Sequence, residues 1–286
     1  MSWLAWVCAG AALLVVVLLA LRLYGARRWQ ETTGGLLARV EATRAPAQDL
    51  HWDPRGADDL PAPVQRYFRT VLRERQPMIA AVQMSHRGSF NLSATAERWK
   101  PFESKQRVIL ERPGFVWDAR VELFPGLSAR VHDAYVAGEG ILHASLGGVF
   151  SLARMHGGGE LARGELMRFL AEAAWYPTRL LPGRGVRWEP LDDRSAQVTL
   201  ADADTRVTLV FHFSDRNQIE TVRAAARGRI DGDRIEQLPW EGRFWNFVER
   251  SGVQVPLDGE VAWLLPTGRL PYWRGTLESL VYEFAR

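Results

Sequence analysis

The sequence predicts an α+β protein: an N-terminal transmembrane helix, then a large curled antiparallel β-sheet, half-barrel-like, packed on a central helix. Three observations carry this. Trp3–Leu21 (WLAWVCAGAALLVVVLLAL) is apolar and free of charge; at about 1.5 Å per residue it covers roughly 28 Å, close to the hydrocarbon thickness of a bilayer. Arg163–Pro182 contains the one strongly helical segment of the remaining chain, with Leu166, Phe169, Leu170 and Ala173 at the spacing of a single helix face. On both sides of it, apolar residues recur at every second position, as they do in strands with one buried and one wet face.

Taken in order, the apolar run closes with Arg22, Arg27 and Arg28, and Trp3, Trp6, Tyr24 and Trp29 sit near its two ends. Charges and aromatics so placed mark the interfaces of a membrane span. No positive n-region or small-residue cleavage site accompanies the run, so residues 1–29 are expected to be an uncleaved single-pass anchor. The side of the membrane on which the remainder lies stays open. Residues 30–59 are polar and interrupted by Pro46 and Pro54, which predicts a few more helical turns and then a linker. Residues 60–286 are expected to form one domain.

That domain opens with a short amphipathic helix after Asp58-Asp59-Leu60-Pro61, its stripe being Val64, Tyr67, Phe68, Val71 and Leu72. From Met78 to Leu146 the period changes to two. Phe115, Trp117, Ala119, Val121 and Leu123 share one face, and Pro113-Gly114 and Pro125-Gly126 bound that strand as turns. Leu127, Ala129 and Val131 continue the alternation, and Gly138-Glu139-Gly140 turns the chain into Ile141–Leu146. Gly147-Gly148 and Gly157-Gly158-Gly159 bracket a segment expected to be flexible. The central helix is expected over Gly164–Trp175, because Pro177 disfavours the helical conformation at Tyr176. Strands then resume at Ala196–Leu200, Val207–Phe213, Ile219–Arg227, Gly242–Glu249, Glu260–Leu265 and Thr276–Phe284.

Composition narrows the function classes. The net charge is only +3 and lysine occurs only at Lys100 and Lys105. No compact basic run is interleaved with aromatics, so nucleic acid is not an expected partner. Cys8, the single cysteine, lies in the apolar run, which rules out an internal disulfide and a cysteine-based metal site. His156-Gly157-Gly158-Gly159 looks like an oxyanion loop, but no G-x-S-x-G elbow accompanies it. Phosphate-loop, dinucleotide and H-E-x-x-H fingerprints are missing too, so no cofactor and no catalytic residue are assigned. His132, Asp133 and His143 lie on neighbouring strands and would hold a metal only if register placed them on one face; half-exposed strand residues are the plainer account. Asp231-Gly232-Asp233 reads as a turn.

Glu172 stands out among the ionisable residues. It lies just before Trp175-Tyr176, where burial would raise its pKa unless Arg168 or Arg179 neutralised it. A helix–sheet ion pair is the structural account, and a polar contact at the mouth of an apolar pocket the functional one. The twelve tryptophans supply aromatic surface for a core or a ligand. The candidate ligand-binding residues are therefore Trp117, Tyr135, Arg168, Glu172, Trp175, Tyr176, Trp188, Phe211 and Trp245.

The run Asp133-Ala-Tyr135 … Gly138-Glu-Gly140 and Gly164-Glu165-Leu166 … Arg168-Phe-Leu170-Ala-Glu172 … Trp175-Tyr-Pro177 resembles a bacterial family that pairs an N-terminal membrane helix with a domain of unknown function. Leu60-Pro61-Ala-Pro63-Val64-Gln-Arg66-Tyr67 and Trp99-Lys-Pro101-Phe102 extend the match. The resemblance implies no activity, cofactor or catalytic residue. In its order of elements the chain also looks like the periplasmic lipoprotein carriers, whose half-barrel holds acyl chains around helices. The leading expectation is a membrane-tethered binding module for an apolar or lipidic ligand, gated by the glycine hinge at 157–159. The alternatives are an assembly factor that binds another envelope protein through a filled domain, and a hydrolase-type enzyme using Glu172 or His132 with Asp133.

Overall fold

The computed structural model describes residues 3–46, 50–93, 97–231 and 234–286. Helix α1 runs unbroken over Trp3–Ala42 and is long and apolar enough in its first half to cross a membrane. Past the apolar run it continues for several turns, to Ala42. Trp29, Leu36 and Val40 are buried, and they lie against the outer face of the sheet described next.

A short 3₁₀ turn at Pro54–Ala57 and helix α2 (Ala62–Val71) precede the first strand. Pro63, Val64, Tyr67, Phe68 and Val71 of α2 are buried, which is the stripe expected from their spacing. Thirteen strands follow. β1 (Ile79–Asn91), β2 (Trp99–Ile109), β3 (Gly114–Phe124), β4 (Leu127–Val136), β5 (Glu139–Leu146) and β6 (Phe150–Gly157) precede helix α3 (Gly159–Ala171). Two 3₁₀ turns, Glu172–Trp175 and Pro177–Leu180, lead on to β7 (Val186–Asp192), β8 (Ser195–Asp202), β9 (Thr205–Phe213), β10 (Ile219–Asp231), β11 (Arg234–Arg250), β12 (Val253–Leu265) and β13 (Gly268–Phe284). All thirteen strands join one sheet in the order β6-β5-β4-β3-β2-β1-β13-β12-β11-β10-β9-β8-β7, and each pairing is antiparallel. The first and last strands of the chain meet at its centre.

Two expectations are corrected. The glycine-bracketed segment before the helix is the edge strand β6, because its backbone pairs with β5 from Gly140↔Gly157 to Leu146↔Phe150. The central helix starts five residues earlier than its apolar spacing suggested. Gly159 takes a positive φ of 63° after the β-conformation N-cap Gly158, a turn that favours glycine. The helix ends in 3₁₀ turns ahead of Pro177. The turn expected at Asp231-Gly232-Asp233 lies partly outside the described residues.

α3 packs on the inner face against β4, β5, β9 and β10, so it bridges both halves of the sheet. The main apolar core fills this space with residues of α2, α3 and inward-facing strand positions. A smaller core on the outer face joins Leu36 and Val40 of α1 to Ala81, Ile109, Val116, Ala134, Val136 and Ile141.

Candidate functional site

A cleft lies between α3 and the inner face of the sheet. Its inner part is a cavity of about 100 Å³ whose walls are mostly aromatic: Phe90 from β1, Trp117 from β3, Trp175 after α3, Trp240 and Phe244 from β11, and Tyr272 and Trp273 from β13. A wider cavity of about 470 Å³ adjoins it and shares Phe90, Asp133, Arg227 and Tyr272.

The polar floor is built around Arg168. Its Nη1 donates to Asp133 Oδ2 at 2.7 Å and its Nε to Glu172 Oε1 at 2.7 Å. Its guanidinium lies 4.7 Å from the Trp117 ring centroid, close enough for a cation–π contact. Gln106 Nε2 donates to the other Glu172 oxygen at 2.6 Å. Arg227 lies over the Trp240 ring at 5.0 Å and, among the described residues, makes only long hydrogen bonds, to Gly164 O and Tyr272 Oη.

Two buried carboxyl oxygens at this floor have no hydrogen-bond partner among the described residues, Asp133 Oδ1 and Glu165 Oε2. Burial, with the Asp133 charge next in size, pushes the Glu165 carboxyl up to about 8, so Glu165 carries a proton at neutral pH. Burial also raises Asp133, against the pull of Arg168. Arg168 is held charged against its desolvation, chiefly by Glu172 and Asp133. His86, behind Trp175 at 4.7 Å between ring centroids, has neither ring nitrogen bonded, and burial pulls it down to about 3. It is neutral. The cleft thus offers a broad aromatic surface, one tightly paired cation, one loosely held cation and a protonated carboxyl.

Of the nine residues proposed from sequence, Trp117, Arg168, Glu172 and Trp175 line the inner cavity. Tyr135, Tyr176, Trp188 and Phe211 are buried in the core. Tyr135 Oη donates to Asp202 at 2.8 Å, Tyr176 Oη to the Phe169 carbonyl at 2.7 Å and Trp188 Nε1 to the Leu180 carbonyl at 2.8 Å. Trp188 meets Phe211 edge-on. Trp245 is 43% exposed on the other side of β11; Trp240 and Phe244 face inward, and the period of two turns position 245 out.

The helix–sheet ion pair is present, but Asp133 rather than Glu172 is the carboxylate that makes it; Glu172 pairs within its own helix. Arg179 is not near that carboxylate; it donates to the Arg184 carbonyl and lies over the Phe169 ring. His132 and His143 are register partners on β4 and β5, whereas Asp133 points to the opposite face. The three therefore do not converge, and no cluster of three or more metal-ligating residues occurs among the described residues. Sequence reasoning missed Phe90, Trp240, Phe244, Tyr272 and Trp273 as walls. Pro271 and a register shift between Val261 and Ala262 hide the alternation of β13, so only the aromatic density of Tyr272-Trp273 pointed to them.

The fold defines the class: an α+β domain with an open antiparallel sheet around a central helix, carried on an apolar N-terminal helix. Residues 58–282 match the family of unknown function DUF6920, and the chain belongs to that family. No curated protein matches the chain. Among solved structures it is similar to a LolA superfamily protein from Nitrosomonas europaea, at 13% identity and a TM-score of 0.40 over 77% of this chain and 93% of that one.

Proposed function

We propose that the protein is a membrane-tethered binding module for an apolar or lipidic ligand, held in the cleft between α3 and the sheet. The observation that carries this is the inner cavity, where seven aromatic rings face a space left open beside α3. A ligand there meets apolar walls and a few convergent polar groups, the usual make-up of a small-molecule site. Arg227 and the Glu165 carboxyl are the groups with hydrogen-bonding capacity to spare for a polar head. The apolar first half of α1 supplies the tether, and the positive-φ glycines Gly157 and Gly159 are where α3 would pivot to admit a ligand.

The test is photo-crosslinking of the full-length chain in vesicles doped with a diazirine-bearing fatty acid, with crosslinks mapped by mass spectrometry. Adducts on peptides carrying Trp117, Trp240 or Trp273, competed away by excess unlabelled lipid, are expected. Adducts confined to residues 3–24 would overturn the binding-module reading and leave only a tether.

A further inference from the structure

Helix α1 and strand β4 run side by side in the same direction. At its start, Arg22 donates to the Gly126 carbonyl in the β3–β4 turn. Gly25 lies so close to the β5–β6 turn that a side chain there would collide with the Gly147 carbonyl and Val149, and one at Gly148 would collide with the Gly25 carbonyl. Further along, Trp29 stacks on His132, and Arg39 reaches Glu139 at 3.1 Å, where β5 begins after the next turn. From Arg22 to Arg39 the helix rises roughly 26 Å. One end of the sheet is therefore fixed directly beside the end of the apolar run Trp3–Leu21, and the opposite end is held far from it.

The near end is also where large apolar side chains are left in the open. Phe124 is 65% exposed, Phe150 64% and Leu152 59%, and Leu127 follows Phe124 across the turn. Lys100 lies 5.0 Å over the Phe124 ring, and Arg22, Arg27 and Arg28 follow the apolar run. Aromatic and aliphatic side chains flanked by cations, level with the end of a span, suit the headgroup region of a bilayer.

We propose that the β3–β4 and β5–β6 turns form a second membrane contact, with Phe124, Leu127, Phe150 and Leu152 seated in the interfacial layer of the bilayer that holds α1. This rests on the tether reading.

The test is site-directed spin labelling of the full-length chain in phosphatidylcholine–phosphatidylglycerol vesicles. Cys8→Ser removes the native thiol, and single cysteines replace Phe124, Phe150, Arg112 in the far turn, or Leu14 in the span. The readout is each nitroxide's accessibility to oxygen relative to a water-soluble nickel chelate. Labels at 124 and 150 are expected to show a ratio several-fold above that at 112. Ratios at 124 and 150 equal to that at 112, with the Leu14 label at bilayer depth, would overturn the second contact and leave the tether standing. A water-exposed Leu14 label would overturn both.

Discussion

His132 and Asp133 are adjacent on β4, yet they lead to opposite faces of the sheet and to two differently finished polar clusters. On the outer face, Asp118 accepts from Trp29 Nε1 at 2.9 Å and from Thr33 Oγ1 at 3.2 Å, one bond to each carboxylate oxygen, and Thr33 also meets His132 Nε2 at 2.7 Å. The Trp29 ring covers His132 at 3.9 Å. On the inner face, Asp133 has one oxygen bonded and one without a partner, and Glu165 is buried without an ion pair. The β11 carboxylate Glu241 underlines the contrast. It is just as buried but receives Arg223, Arg243 and Arg269. Among the described residues, the buried carboxyl oxygens left without a partner are those of Asp133 and Glu165 at the cleft, and leaving a buried polar atom unbonded costs about 1–3 kcal/mol.

Three substitutions sharpen this comparison. The largest effect is expected from Trp29→Ala. It removes the cover of His132 and a bond to Asp118, and should cost about 3–5 kcal/mol, as Trp truncations in cores do. A thermal melt of the full-length protein would register the loss, while cleft adducts in the crosslinking assay should persist at temperatures where the variant is folded. Loss of the adducts from a folded variant would mean that the two faces are coupled.

Glu165→Gln addresses the inner face through pH. Burial raises the Glu165 carboxyl from 4.5 to about 8, so the folded state holds a proton that the unfolded chain releases. Its contribution to stability is complete below about pH 4.5 and is lost as pH rises through 8. The wild type should therefore lose about 3–4 kcal/mol between pH 5 and pH 8. Glutamine cannot ionise and should flatten most of that slope, with Asp133, also raised by burial, supplying a remainder. Equal slopes for the two proteins would show that Glu165 is ionised in the fold.

The smallest effect belongs to Arg27→Ala. It breaks a pair with Glu31 whose side chains are 84% and 67% exposed; exposed pairs contribute within about 0.5 kcal/mol. A larger loss of stability would point to a role for Arg27 beyond that ion pair.

Much of the fold was legible because its signals are local. The alternation from Phe115 to Leu123 and the helical stripe of α2 both depend on neighbours in sequence. The seat of residues 30–42 on the sheet was not, since Gly34-Gly35 and the mixed polarity there carry no mark of what α1 would lean against. Only the register of β4 brings His132 under Trp29. The cleft was half legible for a related reason. Trp117, Arg168, Glu172 and Trp175 lie near the central helix or on a cleanly alternating strand, whereas Trp240, Tyr272 and Trp273 reach the same space only once β13 has paired with β1. Non-local pairing sets which aromatics share a wall, and sequence spacing does not encode it.

The sheet never closes on itself. β6 and β7 lie at its two ends, and among the described residues no ladder joins them; α3 is what spans the gap, touching β4 and β5 on one side and β9 and β10 on the other. In a closed barrel, widening the interior means breaking strand hydrogen bonds. In this open sheet no ladder ties the two wings together, so the width of the interior is set by the side chains packed on α3.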